Sequence, residues 1–479
     1  MSKITSSTAL PSRIGFAEAA GILAFLAALT LPVSYGRNWL LSQQPNGTAL
    51  LGGYAHLMIL TQVVTTFMVY GGSSVFNHYL PKLQSASERG GFIVGNSGIS
   101  GVCIVLSIGV VVLIPQAPRF VFGDIQPSHE RLLLLCAVPA IIFSTLVNSS
   151  VLGLGYFRAI AVYEMLFVFV PLVSLWMFSG QKGGLDSVAQ LGWVIVSWFV
   201  LSGLVLWFIF VRPHCKMFSK GVSLPDGFWQ FGGSIYLSTA LSFFYQYFDQ
   251  ILVSKYLSTA KLGEFFLVVQ ITQLVTFVPQ KLSQFALHEF SRHRHLADIE
   301  RTYRRAAVLS VWTVTTIAAI VITAVPLLSI LFGRAVTLEG EGGLIILAAG
   351  CSTGALGALN SMLVLSRGET VVFTITNAVI IMTQATVNVW LIPLFGIQGA
   401  ACGRVVAIVL GQIGLYRIVR GRIFNGLTIP QDYWWCQGAV WTMALVPSIG
   451  IFGRVAITII IGALAIRQLA KTQASDHLA

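Results

Sequence analysis

Apolar runs long enough to cross a bilayer recur about fourteen times along the chain, separated by charged or turn-rich breaks. They fall near residues 15–36, 50–77, 91–114, 132–154, 158–179, 187–211, 228–256, 262–288, 306–332, 342–365, 370–393, 396–416, 433–452 and 454–470. A helix crosses the hydrocarbon core with about 20 apolar residues. Runs of this length and number leave little of the 479 residues for anything else. Only 10% of the residues are charged, against about 25% in an ordinary soluble domain. The expected class is an all-α polytopic membrane protein. Barrel-type short alternating strands are absent, and no connection has the length of a folded domain.

The formal net charge of +12 follows topology rather than a nucleic-acid surface, and no nucleic acid is expected as a partner. With the N-terminus inside, the inner segments carry 19 Lys and Arg and the outer ones eight, with Lys281 and Arg404 inside spans. Cytoplasmic loops are enriched in these residues, so both termini are expected on the cytoplasmic side. The basic run from Arg292 to Arg305 suits an inner loop beside anionic lipid. The six cysteines form no CxxC pair and read as small packing residues. No metal site and no cofactor are expected, since no P-loop, HExxH or GxSxG segment is present.

An internal repeat divides the chain. Leu51-Gly52-x-Tyr54 and Thr61-Gln62-x-Val64-Thr65 recur as Leu262-Gly263-x-Phe265 and Thr272-Gln273-x-Val275-Thr276, at a constant offset of 211. The same offset places Asn38 on Asp249 and Leu41 on Leu252. The expected organisation is an N-lobe of six spans (15–211), an inner linker (212–227), a C-lobe of six spans (228–418) and an additional pair (433–470). Six spans per lobe make a parallel repeat, related by a pseudo-twofold axis along the membrane normal.

Polar residues inside spans are costly and mark protein-facing or water-facing surfaces. In the eighth run Gln270, Gln273, Thr276, Gln280, Lys281, Ser283, Gln284 and His288 share one half of the helix. Interhelical hydrogen bonding is the plainer account of the glutamines; Lys281 carries the stronger functional reading, unless it snorkels to the headgroups. The seventh run carries Ser234, Ser238, Ser242, Tyr245, Gln246 and Asp249 on one face. Asp249 is expected either to pair with Lys255 or Lys261, or to carry a coupling ion or proton. Glu164 and Arg404 are the other isolated charges; each could instead fix packing through a partner helix.

Three stretches resemble the multidrug/oligosaccharidyl-lipid/polysaccharide exporter superfamily, and within it the polysaccharide flippases. They are Gly36-Arg37-Asn38 through Gly52-Gly53-Tyr54, Phe248-Asp249-Gln250-Ile251-Leu252-Val253 with Leu262-Gly263-Glu264-Phe265, and Pro393-Leu394-Phe395-Gly396-Ile397-Gln398-Gly399-Ala400-Ala401. The resemblance implies alternating-access movement of an undecaprenyl-diphosphate-linked oligosaccharide from the cytoplasmic to the outer leaflet of a bacterial inner membrane. It further implies a glycan polymerase as a possible partner. The chain is expected to work as a monomer in the bilayer and not as an enzyme.

Lys and Arg suit a diphosphate in a low-dielectric cleft, which singles out Lys281, Arg404 and, near the outer mouth, Arg37. Gln273, Gln280, Gln284, Asn360, Asn377 and Gln384 would meet the sugars. Asp249 and Glu164 are the candidates for ion coupling. The competing readings are a cation-coupled drug exporter, which would want free carboxylates in its cleft, a membrane-embedded glycan polymerase or ligase, disfavoured by short outer loops, and a non-transporting scaffold.

Overall fold

The computed structural model describes residues 32–44, 46–70, 72–83, 85–114, 130–179, 188–215, 224–292, 296–367, 369–423, 429–446 and 449–477. Residues 15–31 of the first expected span and most of the expected outer loop at 115–131 lie outside them. The described residues are helical almost throughout, without strands. After a helix over 32–42 come α1 (Gly47–Phe67), α2 (Gly72–Tyr79), α3 (Ala86–Leu113), α4 (Glu130–Gly153), α5 (Phe157–Ser179), α6 (Val188–Leu206) and α7 (Phe228–Tyr256). Then follow α8 (Thr259–Arg292), α9 (Leu296–Phe332), α10 (Leu338–Thr353), α11 (Gly357–Ser366), α12 (Thr370–Ile418), α13 (Gln431–Leu445) and α14 (Ile451–His477).

Among the described residues nine helices are long and apolar enough to cross a membrane. The difference from fourteen has local causes. One of the nine, 371–423, contains two expected spans in a single run. The serine- and glutamine-bearing stripe of α7 lowers its hydropathy, and α13 has only 15 residues. The chain is a multi-pass membrane protein.

Two compact units divide the chain, 1–243 and 244–479, and the division falls within α7. In the first unit α4 is the hub, touching α1, α2, α3, α5 and α6. Its apolar residues Leu133, Leu134, Ala137, Ile141, Ile142, Val147 and Val151 are buried. Gly192 and Gly203 of α6 lie against Leu133 and Phe143, so these two helices run parallel at close approach, the packing that small residues permit where lipid supplies no hydrophobic drive. Helix α3 starts in a capping box: the Ser85 hydroxyl accepts from the Glu88 N–H, and the Glu88 carboxylate accepts from the Ser85 N–H.

In the second unit the later half of α12 is central. Glycines of α10 and α11 receive its side chains: Gly343 meets Ile397, Gly350 meets Val405 and Gly357 meets Gln412. The earlier half of α12 folds back antiparallel, with Leu391 against Gly399, Asn388 against Gly403 and Ile380 against Gly411. That register sets Gln384 opposite Ala407. The turn between the halves is Gly396, at φ 56° and ψ −129°, a conformation open to glycine alone. Thus the Pro393–Ala401 segment forms a sharp bend. Helices α13 and α14 are sewn to α9 and α10. The Tyr433 hydroxyl donates to the Thr353 carbonyl at 2.8 Å, Gln437 bonds Ser352, the Trp312 indole donates to Asp432, and the Thr323 and Thr458 hydroxyls meet at 2.9 Å.

The repeat is visible as matched local environments. Thr61 and Thr272 are both buried, and each hydroxyl donates to the carbonyl four residues back. Gln62 and Gln273 are both exposed. Thr65 and Thr276 donate to the carbonyls of those glutamines, at 3.1 and 3.2 Å. Leu51 and Leu262, Tyr54 and Phe265, Val64 and Val275 are buried pairwise. Helices α6 and α12 also each end in a widened π turn, Trp207–Val211 and Val419–Ile423.

Candidate functional site

The repeat-related positions Asn38 and Asp249 each meet an arginine. In the first unit the arginine is the chain neighbour. Arg37 is only 7% exposed, its Nε and Nη2 donate to the Asn38 carboxamide oxygen at 3.3 and 3.2 Å, and its guanidinium lies 4.4 Å from the centre of the Tyr54 ring. A cation over an aromatic face is attracted by the ring quadrupole, but neither Asn38 nor the ring carries charge. Among the described residues no carboxylate pairs with Arg37. Among those residues its positive charge has no countercharge in a nearly dry place, an arrangement that favours an arriving anion.

In the second unit the acceptor is a carboxylate and the arginine comes from another helix. Asp249 is fully buried near the end of α7, its Oδ1 accepts from the Gln250 N–H at 2.8 Å, and its Oδ2 lies 3.1 Å from Arg404 Nε. Arg404 Nη2 donates to the Gln246 carbonyl at 2.7 Å. The arginine side chain is 11% exposed. Among the described residues one repeat position thus leaves its arginine without a carboxylate, and its counterpart supplies one.

The partner of Asp249 is therefore Arg404, and neither Lys255 nor Lys261 as the sequence suggested. Lys261 is spent elsewhere: its Nζ lies 3.0 Å from Glu264 Oε2 and 2.6 Å from Glu339 Oε2. Lys255 sits over the Tyr256 ring. Glu264 also accepts from the N–H and hydroxyl of Thr337, and Glu339 accepts from the Ile397 N–H at 2.6 Å, beside the Gly396 bend. This three-charge cluster ties together the starts of α8 and α10 and the bend of α12. The sequence reading missed it because Lys261 and Glu339 look like ordinary loop charges; Glu264 next to the Leu262-Gly263 turn was the available signal.

The remaining expected site residues are scattered. Gln273 and Gln280 are exposed on α8, and Asn377 is half-buried on α12. Lys281, Gln284 and Glu164 lie on helical backbone, and their side chains are outside what the structure describes. Asn360 is fully buried and accepts from the Tyr303 hydroxyl at 2.7 Å. Gln384 is buried within the α12 hairpin, and neither end of its amide finds a protein partner. Asn388, one turn on, is in the same condition; the sequence reading passed over it. Asn360 and Gln384 meet no open surface in this conformation. Among the described residues no group of three or more His, Cys, Asp or Glu could hold a metal ion.

Comparison with known proteins adds the following. A family model described as "Polysaccharide biosynthesis protein" matches residues 131–337. No curated protein matches the chain. Among solved structures, the lipid II flippase MurJ in an inward closed conformation superposes with a TM-score of 0.71 at 14% identity, covering 95% of this chain and 99% of that one. An inward-facing multidrug resistance MATE family transporter of the MOP superfamily gives 0.61 at 14% identity, covering 90% and 99%. A MOP superfamily transporter from Pyrococcus furiosus gives 0.56 at 13%, covering 89% and 96%. At these identities the likeness establishes the fold, which is that of transporters and flippases. The segment 131–337 is similar to polysaccharide biosynthesis proteins, and the chain shares its fold with MurJ and MATE family transporters.

Proposed function

We propose that this chain is a flippase that carries an undecaprenyl-diphosphate-linked oligosaccharide from the cytoplasmic to the outer leaflet of a bacterial inner membrane, by alternating access of two six-span lobes. The observation that carries the reading is Arg37: a buried guanidinium that meets no carboxylate among the described residues suits a diphosphate better than a cationic drug. Arg37 and Lys281 would hold the diphosphate, and Gln273, Gln280, Gln284 and Asn377 would meet the sugars. The lipid tail stays in the bilayer. An inside-negative potential assists outward movement of an anion by about 2.3 kcal/mol per charge per 100 mV. Glu164 is the candidate for ion coupling on the return step. The protein acts as a monomer, without catalysis of its own, beside a glycan polymerase, and both termini face the cytoplasm.

The MATE-like fold makes cation-coupled drug export the second reading. It needs a free acid for its cargo, and among the described residues the buried acids Asp249 and Glu264 are already paired. The test is a strain lacking the protein, with polyprenyl-diphosphate glycans extracted, identified by mass spectrometry and assigned to a leaflet. The expected result is a complete oligosaccharide trapped on the cytoplasmic side. Normal lipid-linked glycans together with altered drug tolerance would overturn the proposal.

A further inference from the structure

A fully buried carboxylate in a membrane helix needs a cation beside it. In transporters that use such a group for coupling, the cation comes from solution. At Asp249 it comes from the chain. Arg404 Nε lies 3.1 Å from Oδ2, and Nη2 takes the Gln246 carbonyl three residues earlier on α7. A carboxylate oxygen and a main-chain carbonyl oxygen are the ligands a hard cation binds. One residue along α12 from Arg404, Gly403 packs against the carboxamide oxygen of Asn388, which is fully buried and has no hydrogen-bond partner. The guanidinium thus takes a buried carboxylate oxygen and a main-chain carbonyl oxygen, and a further unpartnered carboxamide oxygen lies one residue along its helix.

We propose that Asp249 is the anionic half of a cation site whose occupant is Arg404 itself. The guanidinium is permanently charged and cannot leave, so the second unit needs no external monovalent cation at Asp249 in any conformation that keeps the pair. Among the described residues the other strongly buried acid of this unit, Glu264, is held by Lys261 and Thr337 and offers no alternative place. Tyr245 and Cys351 are the remaining titratable groups in reach of the guanidinium, and both are neutral under ordinary conditions. Shortening Arg404 would then vacate a polar, oxygen-lined space next to an unpaired carboxylate. It would turn a self-filled site into one that takes a cation from solution. This inference concerns the second unit alone and does not depend on which substrate is carried.

The experiment compares wild type, R404A and the D249N/R404A double variant in lipid nanodiscs. Sodium, potassium or lithium chloride is titrated against choline chloride at constant ionic strength, and the melting temperature is followed by tryptophan fluorescence. Wild type is expected to hold its melting temperature across all three titrations. R404A is expected to melt lower and to climb saturably with at least one of the cations. The double variant, which lacks both charges, is expected to lose that response. A cation response in wild type that D249N alone removes would overturn the proposal, and so would a folded R404A that answers to none of the three. If R404A does not accumulate, wild type and R404K still decide the matter: both keep a tethered charge, and a cation response in either refutes the proposal.

Discussion

Replacing Gly396 by alanine tests how the α12 hairpin is held. The residue sits at φ 56° and ψ −129°, where a side chain costs about 1–3 kcal/mol of backbone strain. A Cβ built there would collide with Glu339 Oε1, the oxygen that accepts the Ile397 N–H at 2.6 Å. Moving the carboxylate aside forfeits that charge-assisted hydrogen bond, worth about 1.5–3 kcal/mol. The two contributions together give a destabilisation of about 2.5–6 kcal/mol. Denaturant unfolding of the purified protein in mild detergent, read by tryptophan fluorescence, measures it. Gly414→Ala, in the same helix with open space around the new methyl, is the control and should be neutral or stabilising by up to about 1 kcal/mol. Because the collision partner is Glu339, the Glu339→Ala/Gly396→Ala pair should cost less than the sum of the single changes. A Gly396→Ala protein within about 0.5 kcal/mol of wild type, or strictly additive single and double variants, would refute the account of the bend.

Three further outcomes are expected. Arg37→Gln should lower transport at least about tenfold, the equivalent of about 1.4 kcal/mol of binding, and leave the fold intact, since the guanidinium's own contacts are a neutral amide and a ring; accumulation of lipid-linked glycan in cells and the melting temperature of the purified variant check the two halves of this statement. His78, outside the spans, is held below the usual imidazole range by partial burial and by the Lys82 ammonium, whose Nζ is 2.8 Å from its Nε2. A depressed histidine contributes stability that is present above its unfolded pKa and fades as pH falls through the folded value, so wild type should lose slightly more stability on acidification than His78→Gln, measured by melting curves at stepped pH. Thr61→Val and Thr272→Val should each cost less than about 1 kcal/mol, and by the same amount, because each hydroxyl bonds only its own helix; unequal losses would argue against matched environments in the two units.

The all-helical, multi-pass character was legible because it rests on periodicity and composition, which act locally. The Pro393–Ala401 segment announced a turn, since proline and two close glycines interrupt an apolar run, though nothing local told that Glu339 would hold it. The charged partners were not legible. Asp249 had lysines nearby in sequence, and proximity along the chain favoured Lys255 or Lys261. Folding instead brought α12 against α7, and Arg404 could reach the buried carboxylate with its longer, forked group. Likewise the glutamine stripe of α8 was readable as polar, but Gln384 and Asn360 carry the same chemistry inside a packed hairpin and a helix seam. Residue type alone does not separate an amide that faces a cleft from one sealed between helices.

The two π turns have a consequence for how the halves came to differ. A π turn is the trace of one residue taken into a helix that did not unravel. Residues 207 and 419 begin these turns and stand 212 positions apart, whereas the Leu51 and Leu262 segments match at 211. Between the Leu51 and Leu262 segments and the two π turns, the two stretches keep step to a net difference of a single residue. Connections between helices accept insertions more readily than any other part of a fold. Differences between the matched segments are then substitutions at shared positions. The exchange of a neutral amide for an acid between Asn38 and Asp249 is one such substitution, and it changes the charge beside the arginine without altering the spacing.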